Sequence, residues 1–215
     1  LLENGHPYDN WKDWSKQIIE WDIFKSIIDD LHELGGCELI SISGGGEPFV
    51  IKDMMKRLEY IKSKGFQIKL FTNFSIISKK DVKKLVEIGV DEIHINISAG
   101  KKETYSELRG IKEKEWDDLL MRLSWLKGYK NNNKLPLVRN LIILTNTNIE
   151  EVEEMFIMSN RMKLDSIYFR VMTPHELYNK LLPTKKQINK FINKVPIMSK
   201  KYNVDYWNEL EHTRS

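Results

Sequence analysis

One pattern constrains this chain more than any other: an amphipathic helical stretch, a glycine or polar break and a short β-rich run, repeated along its length. Phe24, Ile27, Ile28 and Leu31 lead through Gly35-Gly36 to the run at 39–43, and Met54, Leu58 and Ile61 lead through Gly65 to 67–72. Val82, Leu85 and Val86 pass Gly89 to 92–98, and Val152, Phe156 and Met162 pass Leu164-Asp165 to 166–171. Apolar residues three and four apart share one helix face, so each helical stretch has a single side to bury. A further strand at 137–145 follows Pro136, behind a helical stretch from Trp116 that ends in an Asn-rich loop. Strands joined through helices pair in parallel with right-handed crossovers. Five such strands are too few to close an eight-stranded barrel. The expected fold is α/β: a partial (β/α) TIM-like barrel with parallel strands and its first strand absent, or an open sheet of the same order. A single domain over 1–215 is expected, with an irregular segment at 1–20 and a tail from 174 holding a helix at 185–202 and a short strand near 204–207.

The strands alternate in a way a structural barrel does not need. In 92–98 the isoleucines fall on one face and His94, Asn96 and Ser98 on the other. The same split sets Ser41 and Ser43 against Ile40 and Ile42, and Lys69 and Asn73 against Ile68 and Leu70. It also sets Asn140 and Asn146 against Leu141 and Ile143, and Tyr168 and Arg170 against Ile167, Phe169 and Val171. Barrel interiors filled for stability carry branched apolar layers, whereas this one reads as lined for a polar ligand. An antiparallel sheet with one wet face alternates similarly, but helical segments between the strands argue against hairpins.

Composition removes several classes. A net charge of +3 over 215 residues is too small to argue for nucleic acid, and the lysine runs fall on exposed helical faces. No run approaches membrane-spanning length. The single cysteine, Cys37, excludes an intrachain disulfide framework and fits a reducing compartment, so a cytoplasmic location is expected. The opening Leu1-Leu2-Glu3-Asn4 lacks an initiator Met and the order of a signal peptide, and reads as the cut end of a longer protein.

Gly44-Gly45-Gly46-Glu47-Pro48 stands directly behind the first run. Three glycines and a carboxylate at a strand end let a ligand approach bare backbone beneath one charged side chain. Further along, Phe71-Thr72-Asn73 ends the second run and Ile97-Ser98 the third, followed by Glu103-Thr104-Tyr105-Ser106-Glu107-Leu108-Arg109-Gly110 and Asn148-Ile149-Glu150-Glu151-Val152. In this order and spacing the segments resemble the radical SAM superfamily, over about residues 22–171, with the glycine loop in the place that follows the family's second strand.

That resemblance implies a reduced 4Fe-4S cluster that passes one electron to S-adenosylmethionine, whose 5'-deoxyadenosyl radical takes hydrogen from a substrate. It assigns Gly44, Gly45, Gly46 and Glu47 to the methionyl ammonium, through a charge-assisted bond to the carboxylate. Arg109 suits the methionyl carboxylate. Ser98 and Asn140, taken as inward-facing, suit the ribose hydroxyls, and Asn73 suits the same ligand or a substrate group. Tyr168 and Arg170 are candidates for the substrate side or the cofactor, and no residue is singled out as catalytic. Arg109 also reads as an ion-pair partner of Glu103 or Glu107, and Asn148 as a helix N-cap.

The chain departs from the family in one large respect. The family's CxxxCxxC cluster motif is absent, and Cys37 alone reads as a small buried filler. No metal ligand is therefore assigned, and the expected cluster loop lies upstream of Leu1. The implied partners are S-adenosylmethionine, an electron donor, and a peptide or protein substrate, because the core resembles the peptide-modifying, SPASM-type branch. The competing readings are a degenerate cluster-less domain that binds a peptide or partner, and a phosphate-binding barrel enzyme using Gly44 to Gly46 as an anion loop. Glu47 counts against the latter, since a carboxylate repels phosphate.

Overall fold

The computed structural model describes residues 17–44, 46–131, 134–172 and 179–212, with side chains described as far as 210. In chain order these form α1 (Trp21–Leu34), β1 (Leu39–Ile42), a 3-10 turn (Pro48–Val50), α2 (Met54–Ser63), β2 (Gln67–Thr72), α3 (Lys79–Ile88) and β3 (Glu92–Asn96). There follow α4 (Lys102–Arg109), α5 (Lys114–Lys130), β4 (Leu137–Leu144), a 3-10 turn (Ile149–Glu151), α6 (Val152–Met162) and β5 (Ser166–Val171). A 3-10 turn (Asn179–Leu181), α7 (Lys185–Tyr202), β6 (Asp205–Asn208) and α8 (Glu209–His212) complete the described chain. The six strands lie in the order β1-β2-β3-β4-β5-β6, with each neighbouring pair parallel. This is the expected partial (β/α) barrel, unclosed, with β1 and β6 as its edges.

Sequential parallel order puts every crossover helix on the same face of the sheet. Ile68, Leu70, Ile93 and Ile95 are fully buried and share a core with Leu58 and Ile61 of α2 and with Val82 and Leu85 of α3. A second core joins Ile142, Leu144, Ile167 and Phe169 to Val152, Met155 and Phe156 of α6 and to Phe191 and Val195 of α7. Each buried aliphatic side chain of this size contributes about 1.5–3 kcal/mol. The alternate residues of the strands are left for the inner face.

Local chemistry sets the ends of these units. Ser78 caps α3 by accepting a hydrogen bond from Asp81 N, and Gly89 ends it in the left-handed region at φ 75°. Thr184 and Gln187 form a reciprocal capping box at the start of α7. One device occurs twice: Asp91, just ahead of β3, accepts Ile68 N at 2.8 Å and Lys62 Nζ at 3.0 Å. Asp165, just ahead of β5, accepts Val138 N at 2.7 Å and Lys130 Nζ at 2.5 Å. In both, one carboxylate ties the incoming strand to the start of its neighbour and to the helix that leads into that neighbour. The register of the inner face follows from these ties.

Candidate functional site

The C-terminal edge of the sheet gathers most of the residues singled out above. Glu47 lies beyond β1 and reaches the end of β2. Its Oε1 accepts Thr72 Oγ1 at 2.6 Å and Phe49 N at 3.4 Å, and its Oε2 accepts Asn73 N at 2.7 Å. A carboxylate has about four acceptor positions, so one remains for an incoming donor. Asn73 Oδ1 is turned back onto Ser75 N at 2.8 Å, and Thr72 Oγ1 accepts Phe74 N at 2.8 Å. Phe74 is fully buried yet held at φ 59°, a backbone state that costs a bulky residue energy and clusters at functional sites. Gly44 and Gly46 are exposed, and a Cβ at either meets nothing within 4 Å. The fold itself makes no demand for glycine there, and the space in front of both is open. Gly45 lies outside the described residues.

A second cluster stands at the end of the next strand, β3. Arg109, the last residue of α4, donates from one terminal nitrogen to the Asn96 carbonyl and to Asn96 Oδ1, and lies 4.9 Å from the Tyr105 ring centroid. Its Nε is buried with no hydrogen-bond partner among the described residues. Arg109 thus points back to the sheet edge, and the pairing with Glu103 or Glu107 is not what holds it. Ser98, at φ 53°, donates to Asn96 Oδ1 at 2.8 Å and accepts Ile143 N at 3.1 Å. Its hydroxyl keeps one lone pair and has already given its proton. Asn96, whose side chain and carbonyl tie Ser98 to Arg109, was on the polar face in the sequence but carried no landmark to single it out.

Asn148 does not act as a side-chain cap. Fully buried, it accepts Thr145 N and donates to both Ser98 O and Ile143 O, each at 2.8 Å. It clamps the ends of β3 and β4 together. Glu151 does the same for the β3–α4 connection: it accepts Gly100 N at 2.9 Å and the Thr104 hydroxyl. Gly100 is pressed against α6, where a Cβ would lie 2.8 Å from Glu154 Cβ and 2.9 Å from Glu151 O.

Asn140 departs from the expected arrangement. It pairs in register with Ile95 and Ile167, both fully buried under helices, and its Nδ2 donates to Ser159 Oγ of α6 at 3.2 Å. Its side chain faces the helices, not the interior, and the inner positions of β4 are Arg139, Leu141 and Ile143. A polar residue in an alternating strand marks a face only when no buried partner waits on the apolar side, and Ser159 is such a partner.

Below the sheet edge the inner face carries a charged floor. Glu92 Oε1 lies 3.4 Å from an Arg139 terminal nitrogen, and its Oε2 lies 3.5 Å from Lys69 Nζ and 2.9 Å from His94 Nε2. Burial raises the Glu92 carboxyl, but bonds from His94 and Arg139 and the charges of Arg139 and Lys69 outweigh it and bring it to about 2. Burial dominates at His94 and pushes its imidazole below the usual value, against the pull of Glu92. Phe71, His94 and Tyr168 then follow one another across the face, with ring centroids 4.6 Å and 6.0 Å apart, and Trp207 stacks on Tyr168 at 4.3 Å. Arg170 is turned toward Glu209, at 3.6 Å.

Cys37 is partly buried against the helix core, its Sγ 3.6 Å from Leu39 O. Among the described residues no group of three or more His, Cys, Asp and Glu could hold a metal ion. With one thiol in 215 residues, this chain does not supply the ligand set of a 4Fe-4S cluster. No helix among the described residues is long and apolar enough to cross a membrane.

The unclosed parallel barrel defines an α/β protein whose candidate site residues gather at the C-terminal ends of the strands, the end at which barrels of this kind carry their sites. The model of the radical SAM superfamily matches residues 6–158, well over half of the chain, and the chain belongs to that superfamily. A curated relative, the tungsten-containing aldehyde ferredoxin oxidoreductase cofactor-modifying protein of Pyrococcus furiosus, is 28% identical over 88 residues, 41% of this chain and 24% of its own. Among solved structures, anSMEcpe with bound AdoMet superposes with a TM-score of 0.71 at 14% identity, over 89% of this chain and 55% of that one. Streptococcus suis SuiB bound to S-adenosylmethionine gives a TM-score of 0.68 at 15% identity, over 86% of this chain and 42% of that one. The same protein bound to precursor peptide SuiA gives 0.65 at 15% identity, over 86% and 41%. The match spans about a quarter of that curated relative, and the chain spans about half of these structures or less.

Proposed function

We propose that these residues form a radical-SAM-type binding module: a site for S-adenosylmethionine at the sheet edge, and below it an inner face that receives a group of a peptide or protein. The observation that carries this reading is the pair of opposite charges at adjacent strand ends. Among the described residues Glu47 keeps one acceptor position beside the open space at Gly44 and Gly46, and Arg109 keeps a buried donor without a partner. A methionyl group is a zwitterion, and ammonium at Glu47 with carboxylate at Arg109 would satisfy both. Asn73 and the remaining Ser98 lone pair lie along the same edge, for a polar group of the same ligand. Asn140 has no part in it. The peptide preference is supported by the likeness to SuiB, whose solved structures include one bound to a precursor peptide.

The cysteine count favours binding over cleavage for these residues taken alone. When bound to a radical SAM enzyme, a 4Fe-4S cluster supplies the electron that cleaves S-adenosylmethionine, and its thiolates would have to come from outside these residues. Equilibrium dialysis with labelled S-adenosylmethionine separates the two readings. The module retains about one equivalent without added iron. Retention only after anaerobic reconstitution of a longer protein, with release of 5'-deoxyadenosine, would overturn the module in favour of the enzyme.

A further inference from the structure

His94 stands between the charged floor and the sheet-edge site, on the same face of the same run as Asn96 and Ser98, and only 5% of it is exposed. One of its nitrogens is settled. Glu92 lies 2.9 Å from Nε2, and the Arg139 and Lys69 charges keep Glu92 ionised. A carboxylate can only accept, so Nε2 carries the ring proton and donates it. In a neutral imidazole the other nitrogen is then a lone pair. Nδ1 is buried and has no hydrogen-bond partner among the described residues. Buried polar atoms are rarely left this way unless a ligand or water completes them.

The surroundings narrow what the ligand could be. Phe71 and Tyr168 flank the imidazole from β2 and β5, Trp207 extends the row on β6, and on β4 Arg139, paired with Glu92, lies in register with His94 while Leu141 lies in register with Tyr168. Phe71, Tyr168 and Trp207 are each partly exposed. Such a row favours a flat aromatic group over a charged or aliphatic one. A ligand carboxylate would set acceptor against acceptor at Nδ1.

We infer that His94 Nδ1 is the hydrogen-bond acceptor for an O–H or N–H carried by an aromatic ring bound on the inner face. This rests on the proposal that the inner face receives a substrate group, and it makes His94 a specificity-determining residue for that group. The ring could be a peptide side chain or a free heteroaromatic, and both present the same donor.

Long-range ¹⁵N NMR of the histidine rings tests it. The wild-type chain shows His94 as the Nε2–H tautomer, and its Nδ1 resonance moves in the direction of an accepted hydrogen bond on titration with N-acetyltyrosinamide or guanosine. Whichever of the two binds identifies the source, and the O-methyl ether of the tyrosine probe binds about tenfold more weakly. The variants separate acceptor from structural tie. His94→Asn keeps an acceptor near the Nδ1 position and retains probe affinity; His94→Gln keeps a donor for Glu92 and loses about tenfold. S-adenosylmethionine binding, measured on the same samples, is unchanged by both, so its failure tells against the sheet-edge site and not against His94. An Nδ1–H tautomer, binding of neither probe, equal binding of the ether, or the reverse order of the two variants overturns the inference.

Discussion

Replacing Asn148 by Ala removes the clamp that holds the ends of β3 and β4. The side chain is fully buried, and its three bonds, to Thr145 N, Ser98 O and Ile143 O, are all 2.8 Å long. The truncation strands one buried N–H and leaves two carbonyls each short of a donor. A net bond contributes about 1 kcal/mol, and each buried group left unpaired costs about 1–3 kcal/mol. Water entering the vacated volume recovers part of this, so a loss of about 3 kcal/mol is expected. For a urea slope of about 2–3 kcal/mol per molar, the midpoint of unfolding followed by circular dichroism falls by about 1 M. Asn148→Asp sharpens the test, because it keeps the acceptor for Thr145 N but turns a second oxygen toward two carbonyls. It should be at least as damaging as Ala. A midpoint shift below about 0.2 M for Ala, or an Asp variant more stable than Ala, would refute the clamp.

Three further outcomes follow from the same geometry. Gly100→Ala places a Cβ 2.8 Å from Glu154 Cβ and 2.9 Å from Glu151 O, so overpacking of about 1–3 kcal/mol should lower the melting temperature by several degrees. An unchanged melting temperature would mean that the β3–α4 loop gives way freely. Acid should weaken the fold in two stages: below the usual 6.5 of histidine the unfolded chain takes up a proton that His94 refuses, and from about 4.5 toward 2 the ionised Glu92 is progressively lost. Glu92→Gln should flatten the lower stage of the stability–pH curve by about 2 kcal/mol after solvent screening, and a curve that superposes on wild type would contradict the floor network. Asp165→Asn weakens the tie to Val138 N and the ion pair with Lys130, and should cost about 1–2 kcal/mol in urea unfolding; a neutral result would remove it as a register device.

The repeating units were legible because each helix has one apolar stripe and each strand a period of two, and because Gly35, Gly65 and Gly89 punctuate them. The final strand at 205–208 was within reach for the same reason. Sidedness was legible wherever the polar residues had no buried partner, as at His94, Asn96 and Tyr168. It failed at Asn140, because the partner Ser159 is nineteen residues away on a helix and no local pattern announces it. Asn148 failed in a related way: Asn before a helical run is the usual signature of a cap, but its side chain was taken by carbonyls of two strands. Arg109 is held at the sheet edge by the Asn96 carbonyl, a backbone group with no sequence signal. Thr72 and Glu151 likewise act through contacts 25 and 47 residues distant, to Glu47 and Thr104.

The central claim is a methionyl site between Glu47 and Arg109, and calorimetric titration of S-adenosylmethionine into wild type and Glu47→Gln tests it most directly. The amide keeps one acceptor for Thr72 or Asn73, so the fold survives, but the charge that meets the ammonium is gone. The account predicts saturable one-to-one binding by wild type and a loss of affinity of about tenfold or more in Glu47→Gln. No heat with wild type, or equal affinities for the two proteins, would contradict it.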